Sequence, residues 1–273
     1  KSKISYEEEG SLHHLYRNNY SKFLAYNVKD VTLVEDLEEK LGLMELILAM
    51  SYNAKCNYND TFGMVKYWET IIYNFLKEQK IATPPQKLSQ TKGDRIQGAY
   101  VKEPIVGKHE WVVSFDLNSL YPHIIMQYNI SPEKMQRGLT DTSVEKLFNK
   151  ETIVDGALGI TPNGARFSND KQGFLPELMQ KFYDERKMWK GKMIGYQKEL
   201  QTCTDRKRKN ELNTLIKRSY NNQQVRKIAL NSAYGALANQ YFAFFDPQLA
   251  EAITLSGQLI IKHAEKTIND WLN

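Results

Sequence analysis

At 273 residues, with 41% apolar and 25% charged side chains, the chain can bury a large core in two domains, or in one domain plus pieces. No apolar run approaches the ~20 residues needed to span a bilayer, and no apolar signal core follows Lys1-Ser2-Lys3-Ile4-Ser5, so neither a membrane partner nor secretion is expected. The net charge of +5 is uneven: 14 Lys and Arg against 6 Asp and Glu lie between Phe174 and Gly235, a surplus of eight that leaves −3 for the remainder and suits a polyanionic partner.

Residues 11–45 read as helical, with a strong helix from about Val28 to Leu43. Residues 46–82 continue helical with a polar interruption at Asn57-Tyr58-Asn59-Asp60. From Gly63 to Gln79 the apolar positions Val65, Trp68, Ile71, Ile72 and Phe75 recur at helical spacing. Residues 83–97, with Pro84-Pro85 and many polar side chains, read as a loop. Strands are expected near 98–102 and 110–116, then a helix from Leu120 to about Tyr128. Residues 135–155 mix helix and loop signals, and Asn163-Gly164 between Ile160 and Phe167 signals a hairpin turn. Pro176 opens a long helix to about Gln201, the charged turn Thr204–Lys209 reverses the chain, and a second long helix runs from about Glu211 to Ala233. Gly235 reads as a break, 241–245 as a short strand, and Pro247–Leu272 as a final helix. Cys56 and Cys203 lie far apart without metal-ligand spacing and read as free thiols.

Three clusters carry chemistry. The apolar run Trp111–Phe115 reads as a buried strand ending in Asp116, a hard oxygen ligand for Mg²⁺ at a strand end. The backbone N–H groups of residues 118–121 behind it could face a phosphate, with Tyr121 as a wall against a sugar. On the first hairpin helix Arg186 and Lys190 are four apart, and on the second Lys227, Asn231 and Tyr234 share one face. Three cations and an amide meeting across the hairpin suit the β and γ groups of a triphosphate. Taken singly, each has a plain alternative: a turn-capping Asp, surface ion pairs, a local amide hydrogen bond.

The string Asp-Leu-Asn-Ser-Leu-Tyr-Pro-His-Ile-Ile (116–125), running on to Ile130-Ser131-Pro132-Glu133, resembles the first carboxylate motif of family B DNA polymerases, in the form found in T-even-like bacteriophages. Lys227-x-x-x-Asn231-Ser232-x-Tyr234-Gly235 resembles the family's fingers motif, and Arg186-x-x-x-Lys190 its first fingers helix. The resemblance implies roles. Asp116 and the Leu117 carbonyl would bind Mg²⁺, two ions in all, and the amides of Ser119 and Leu120 would hold phosphate oxygens. Tyr121 would stack under the deoxyribose and exclude a 2′-OH. Arg186, Lys190, Lys227 and Asn231 would hold the triphosphate, while Tyr234 and Gly235 would contact the nascent base pair. Ala233 stands where Leu is frequent, and His123 where Ser is common. Gly98-Ala99-Tyr100 is also similar to the phage enzymes, with Ile96 where a Tyr is often found.

Tyr26-x-x-x-Asp30 resembles the third motif of a proofreading 3′–5′ exonuclease, in which the Asp binds a metal and the Tyr orients water. The implied layout is the exonuclease end at 1–45, a connecting segment at 46–97, palm at 98–173, fingers at 174–235 and palm again at 236–273. The implied fold class is α+β: a palm whose antiparallel sheet carries Asp116, packed helices, and a two-helix fingers hairpin. The family's second carboxylate motif does not occur between Gly235 and Asn273. The chain is therefore expected to be an excerpt or half of a split polymerase that does not polymerise DNA alone. Implied partners are primer-template DNA, dNTP, a complementary polymerase segment and a sliding clamp, in the cytoplasm of a phage-infected host. The competing reading is a non-catalytic nucleotide- or DNA-binding module. A helical structural protein accounts only for the periodicity.

Overall fold

Helix ends are set by short polar side chains and left-handed glycines. The computed structural model describes residues 3–84, 96–152 and 156–272, in two units, Lys1–Ala49 and Met50–Asn273. In the first unit, Ser11 Oγ accepts from the His14 N–H and opens α1 (Leu12–Asn18). Asn19 Oδ1 accepts from the Lys22 N–H and opens α2 (Tyr20–Leu41). Gly42, at φ +62°, ends α2 by donating to the Glu38 carbonyl at 2.7 Å. Helix α3 (Leu43–Ala54) then runs into the second unit. The helix expected over Val28–Leu43 is thus the C-terminal part of α2.

In the second unit a 3-10 turn at Tyr58–Phe62 occupies the polar interruption and leads into α4 (Met64–Glu78). Its buried face comprises Tyr67, Trp68, Ile71, Ile72 and Leu76, close to the apolar spacing of the sequence. Helices α5 (Leu120–Gln127) and α6 (Val144–Phe148) follow, then strands β1 (Leu158–Ile160) and β2 (Arg166–Ser168), paired antiparallel with Gly159 opposite Phe167. Gly164, at φ +81°, turns the hairpin, as the Asn-Gly pair predicts. Helices α7 (Phe174–Thr202) and α8 (Arg206–Leu237) form the long antiparallel hairpin, and α9 (Pro247–Leu272) closes the chain. The fold is α+β and mostly helical, with α5 packed against α7, α8 and α9. The loop expected over 83–97 falls mainly on 85–95, outside the described residues.

Four expectations are corrected. Residues 110–116 form no strand: Trp111 sits at φ +59° and is 97% exposed, and Phe115 is 72% exposed. A strand needs a neighbour to take its N–H and C=O groups, and this run has none among the described residues. Asp116 therefore lies on an exposed irregular segment rather than on the expected palm sheet. Residues 98–102 form no strand either, because α9 side chains take the neighbouring carbonyls. Thr254 Oγ1 donates to Gln97 O at 2.8 Å and Gln258 Nε2 to Gly98 O at 2.7 Å.

Gly235 does not break α8, which continues to Leu237. Burial of Ala233, Ala236 and Leu237 outweighs the ~1 kcal/mol that one glycine costs a helix. Residues 241–245 turn tightly instead of extending, with Phe242 N–H donating to Asn239 O and Phe245 N–H to Phe242 O, each at 2.9 Å. Packing of Phe242, Phe244 and Phe174 drives this turn.

Helix α4 anchors the root of the hairpin. Trp68 Nε1 donates to Ser232 Oγ on α8 at 3.1 Å and its ring meets Phe182 of α7 edge-on at 5.8 Å. Beside it Tyr67 lines a cavity of about 220 Å³ with Asn74, Glu185 and Arg226. Burial, chiefly, pushes the Tyr67 phenol well above its usual value. The folded chain therefore keeps this proton at a pH where the unfolded chain releases it, near pH 10. Tyr67 favours folding below that pH, and the contribution is lost as pH rises past it. Thermal melts from pH 8 to 11 are expected to show a steeper alkaline decline for the wild type than for Tyr67→Phe. Parallel profiles would refute this.

Candidate functional site

The site is built where the N-terminus of α5 meets the hairpin. Ser119 caps α5 in the left-handed region, φ +54° and ψ +45°, an uncommon conformation for a residue with a side chain, often found at functional sites. Its carbonyl receives the His123 N–H at 3.1 Å and faces His123 Nδ1 at 2.9 Å, while the His123 ring packs edge-on against Tyr183 of α7 at 4.8 Å. These contacts fix the turn. The N–H groups of Ser119 and Leu120 have no partner among the described residues, and first-turn amides of a helix are suited to an anion.

Arg186 of α7 reaches this turn, Nη1 to Ser119 Oγ at 3.5 Å. Lys190, one turn further along α7, is exposed, as are Lys227 and Asn231 on α8, and the side chains of the three have no ion-pair or hydrogen-bond partner among the described residues. The neighbouring Arg226 is committed elsewhere: it donates to Glu185 at 2.8 Å and to Asn222 Oδ1 at 2.9 Å, bracing α8 against α7. Of the sequence-derived set, Arg186 contacts the α5 turn, while Lys190, Lys227 and Asn231 lie exposed beside the braced Arg226.

Tyr121 and Tyr234 meet with ring centroids 5.0 Å apart and planes at 60°. Burial pushes the Tyr121 phenol up, and burial followed by Tyr121 and Glu251 does the same for Tyr234, so both rings are neutral at ordinary pH. Gly235 is exposed, with nothing within 4 Å of where a Cβ would stand, leaving its backbone open to close approach.

Asp116 and the Leu117 carbonyl are oxygen donors of the kind that hold Mg²⁺, and Asp116 has no ion pair among the described residues. The fit is partial: no group of three acidic, His or Cys side chains able to hold a metal occurs among the described residues. In the first unit, Tyr26 and Asp30 come together on α2. A hydrogen bond to Asp30, first, and burial hold the Tyr26 phenol above its usual range, and Lys3 Nζ lies 3.5 Å from the Asp30 carboxylate.

Two supports were missed in the sequence. Asn129, at φ +54°, donates from Nδ2 to the carbonyls of Ser168 and Lys171 at 2.6 and 2.9 Å and accepts the Gly173 N–H at 2.8 Å. Glu133 accepts the Phe174 N–H at 2.8 Å, putting a carboxylate at the start of α7. Together they tie the end of α5 to the beginning of the hairpin. The usable signals were an Asn, which tolerates positive φ, and an acid brought to a helix start.

No helix among the described residues is long and apolar enough to cross a membrane. The architecture is that of a polymerase fold: the chain superposes on the family B DNA polymerase from the hyperthermophilic archaeon Pyrobaculum calidifontis with a TM-score of 0.65, over 94% of this chain and 31% of that one, at 20% identity. Residues 63–273 match DNA polymerase family B, and the chain belongs to that family. It is 30% identical to the DNA-directed DNA polymerase of Escherichia phage RB69 over 99% of this chain and 34% of that protein. It is 31% identical to that of Enterobacteria phage T4 over 100% and 34%. DNA polymerase 1 of Pyrococcus abyssi is 31% identical over 60% of the chain and 18% of that protein. The chain thus spans about a third of the length of the phage relatives.

Proposed function

We propose that the chain serves template-directed DNA synthesis. It would supply the end of a proofreading exonuclease (1–45), a connecting segment (46–97), two parts of the palm (98–173 and 236–273) and the fingers (174–235). The reaction is attack of a primer 3′-OH on the α-phosphate of a dNTP with release of pyrophosphate. The observation that carries the reading is the meeting of α5 with the hairpin, Arg186 to Ser119 and Tyr121 to Tyr234.

Arg186, Lys190, Lys227 and Asn231 bind the triphosphate, helped by the amides of Ser119 and Leu120. Tyr121 stacks under the deoxyribose and excludes a 2′-OH, and Tyr234 with Gly235 contacts the nascent base pair. Asp116 and the Leu117 carbonyl would hold Mg²⁺, two ions in all with carboxylates outside this chain, which would supply charge neutralisation at the phosphates. Tyr26 and Asp30 belong to the exonuclease, Asp30 as a metal ligand. Primer-template DNA, a complementary polymerase segment and a sliding clamp are the partners, in a phage-infected host cytoplasm. The lone carboxylate of the site favours one alternative, a nucleotide- or DNA-binding module without turnover.

The test is titration of the chain with Mg²⁺·dATP. Arg186→Ala and Lys227→Ala are each expected to weaken binding about tenfold or more, the scale of a charge-assisted hydrogen bond. Unchanged affinity in both would overturn the triphosphate assignment.

A further inference from the structure

Tyr121 has a second neighbour, on α9. Gly257 lies in the buried stretch of that helix. A Cβ built on it would stand 3.1 Å from Tyr121 Cε1, 3.9 Å from Cδ1 and 3.7 Å from Ile124 Cδ1. Gly257 has no positive φ, so its backbone does not require glycine. The space does: the Tyr121 ring edge rests directly against the α9 backbone. Glycine is a poor helix former, and here it sits mid-helix where the ring fills the room of a side chain. Ile124, one turn along α5 and fully buried, leaves the ring no retreat past it. The other aromatic neighbour is Tyr234, and the half-exposed side of the ring is its open one.

We propose that Gly257 is a positioning residue: it sets the depth of the Tyr121 ring and, through it, selection between deoxyribo- and ribonucleotides. The inference rests on the proposed function, in which Tyr121 lies under the sugar. A methyl group at 257 displaces the ring by a few tenths of an ångström, outward, into the sugar's space. A ribose carries one more hydroxyl toward that ring, so a ribonucleotide loses room first.

The experiment is equilibrium binding of Mg²⁺·dATP and Mg²⁺·ATP to the full chain as wild type, Gly257→Ala, Tyr121→Ala and the double variant. Gly257→Ala is expected to raise the preference for dATP over ATP about tenfold, as one methyl group in a close-fitting pocket does. In the Tyr121→Ala background the same substitution should leave the ratio unchanged, a coupling that a merely structural role would not produce. An unchanged ratio in Gly257→Ala, with preference lost in Tyr121→Ala, overturns this inference and leaves the proposed function standing. A wild type that binds the two equally, or neither, overturns the sugar role of Tyr121 and the inference with it. Circular dichroism accompanies the titrations. Should Gly257→Ala unfold the chain, the double variant, with the ring removed, is expected to fold; an unfolded double variant would place the clash elsewhere and overturn the proposal.

Discussion

Asp116→Ala is expected to lower primer extension by more than about 10³-fold, beyond the loss from removing a single electrostatic donor. The assay mixes the chain with a separately made segment carrying a second carboxylate motif and a thumb, then adds Mg²⁺, dNTPs and primer-template. Asp116 is exposed and has no ion pair or side-chain hydrogen bond among the described residues, so its removal should cost the fold little. The loss should fall on turnover. Nucleotide affinity, carried by Arg186, Lys190 and Lys227 under the proposed function, should change little. Equal extension with and without the carboxylate would refute its role. Extension absent from both, with association of the pieces demonstrated, would favour the binding module.

Gly164→Ala is expected to destabilise the second unit by about 3 kcal/mol, from the left-handed backbone cost and overpacking together. Gly164 sits at φ +81°, and an added Cβ would stand 2.3 Å from the Thr140 carbonyl oxygen. That atom is backbone and cannot rotate away. The same carbonyl's residue donates its N–H to Gly164 O at 2.8 Å, so relief of the clash breaks this bond as well. The melting temperature should fall by about 6–12 °C. Gly195→Ala is the control: Gly195 lies inside α7 with nothing within 4 Å of its Cβ position. There the substitution should stabilise by about 0.8 kcal/mol through helix propensity alone. A shared sign for the two would overturn the steric account.

What was legible in the sequence were elements whose stability is local. The α4 face, the Asn-Gly hairpin, the first-turn Pro176 and the Pro247 start carry their signals within a few residues. Tyr121 and Tyr234 were singled out separately, by motif, and the fold brings them into contact. Non-local partnership was not legible. Trp111–Phe115 has strand composition but no ladder neighbour among the described residues, and Gln97 and Gly98 find helix side chains in place of a strand. Gly235 has the composition of a stop, but packing of its neighbours carries the helix through. Gly257 gives no sign in sequence of the ring that lies against it.

The exposed run Trp111–Phe115 also bears on solubility. It is apolar, rich in strand-forming residues and open along its backbone, which is what a second chain needs to add a strand. Lys108 and Glu110 guard one end and Asp116 the other, and Asp116 is the only formal charge between Glu110 and Glu133. The carboxylate assigned to the metal is therefore also a gatekeeper against self-association. Its removal leaves Trp111–Pro132 without a charge, so Asp116→Ala preparations should be compared with Asp116→Glu, which keeps one, at matched monomer concentration.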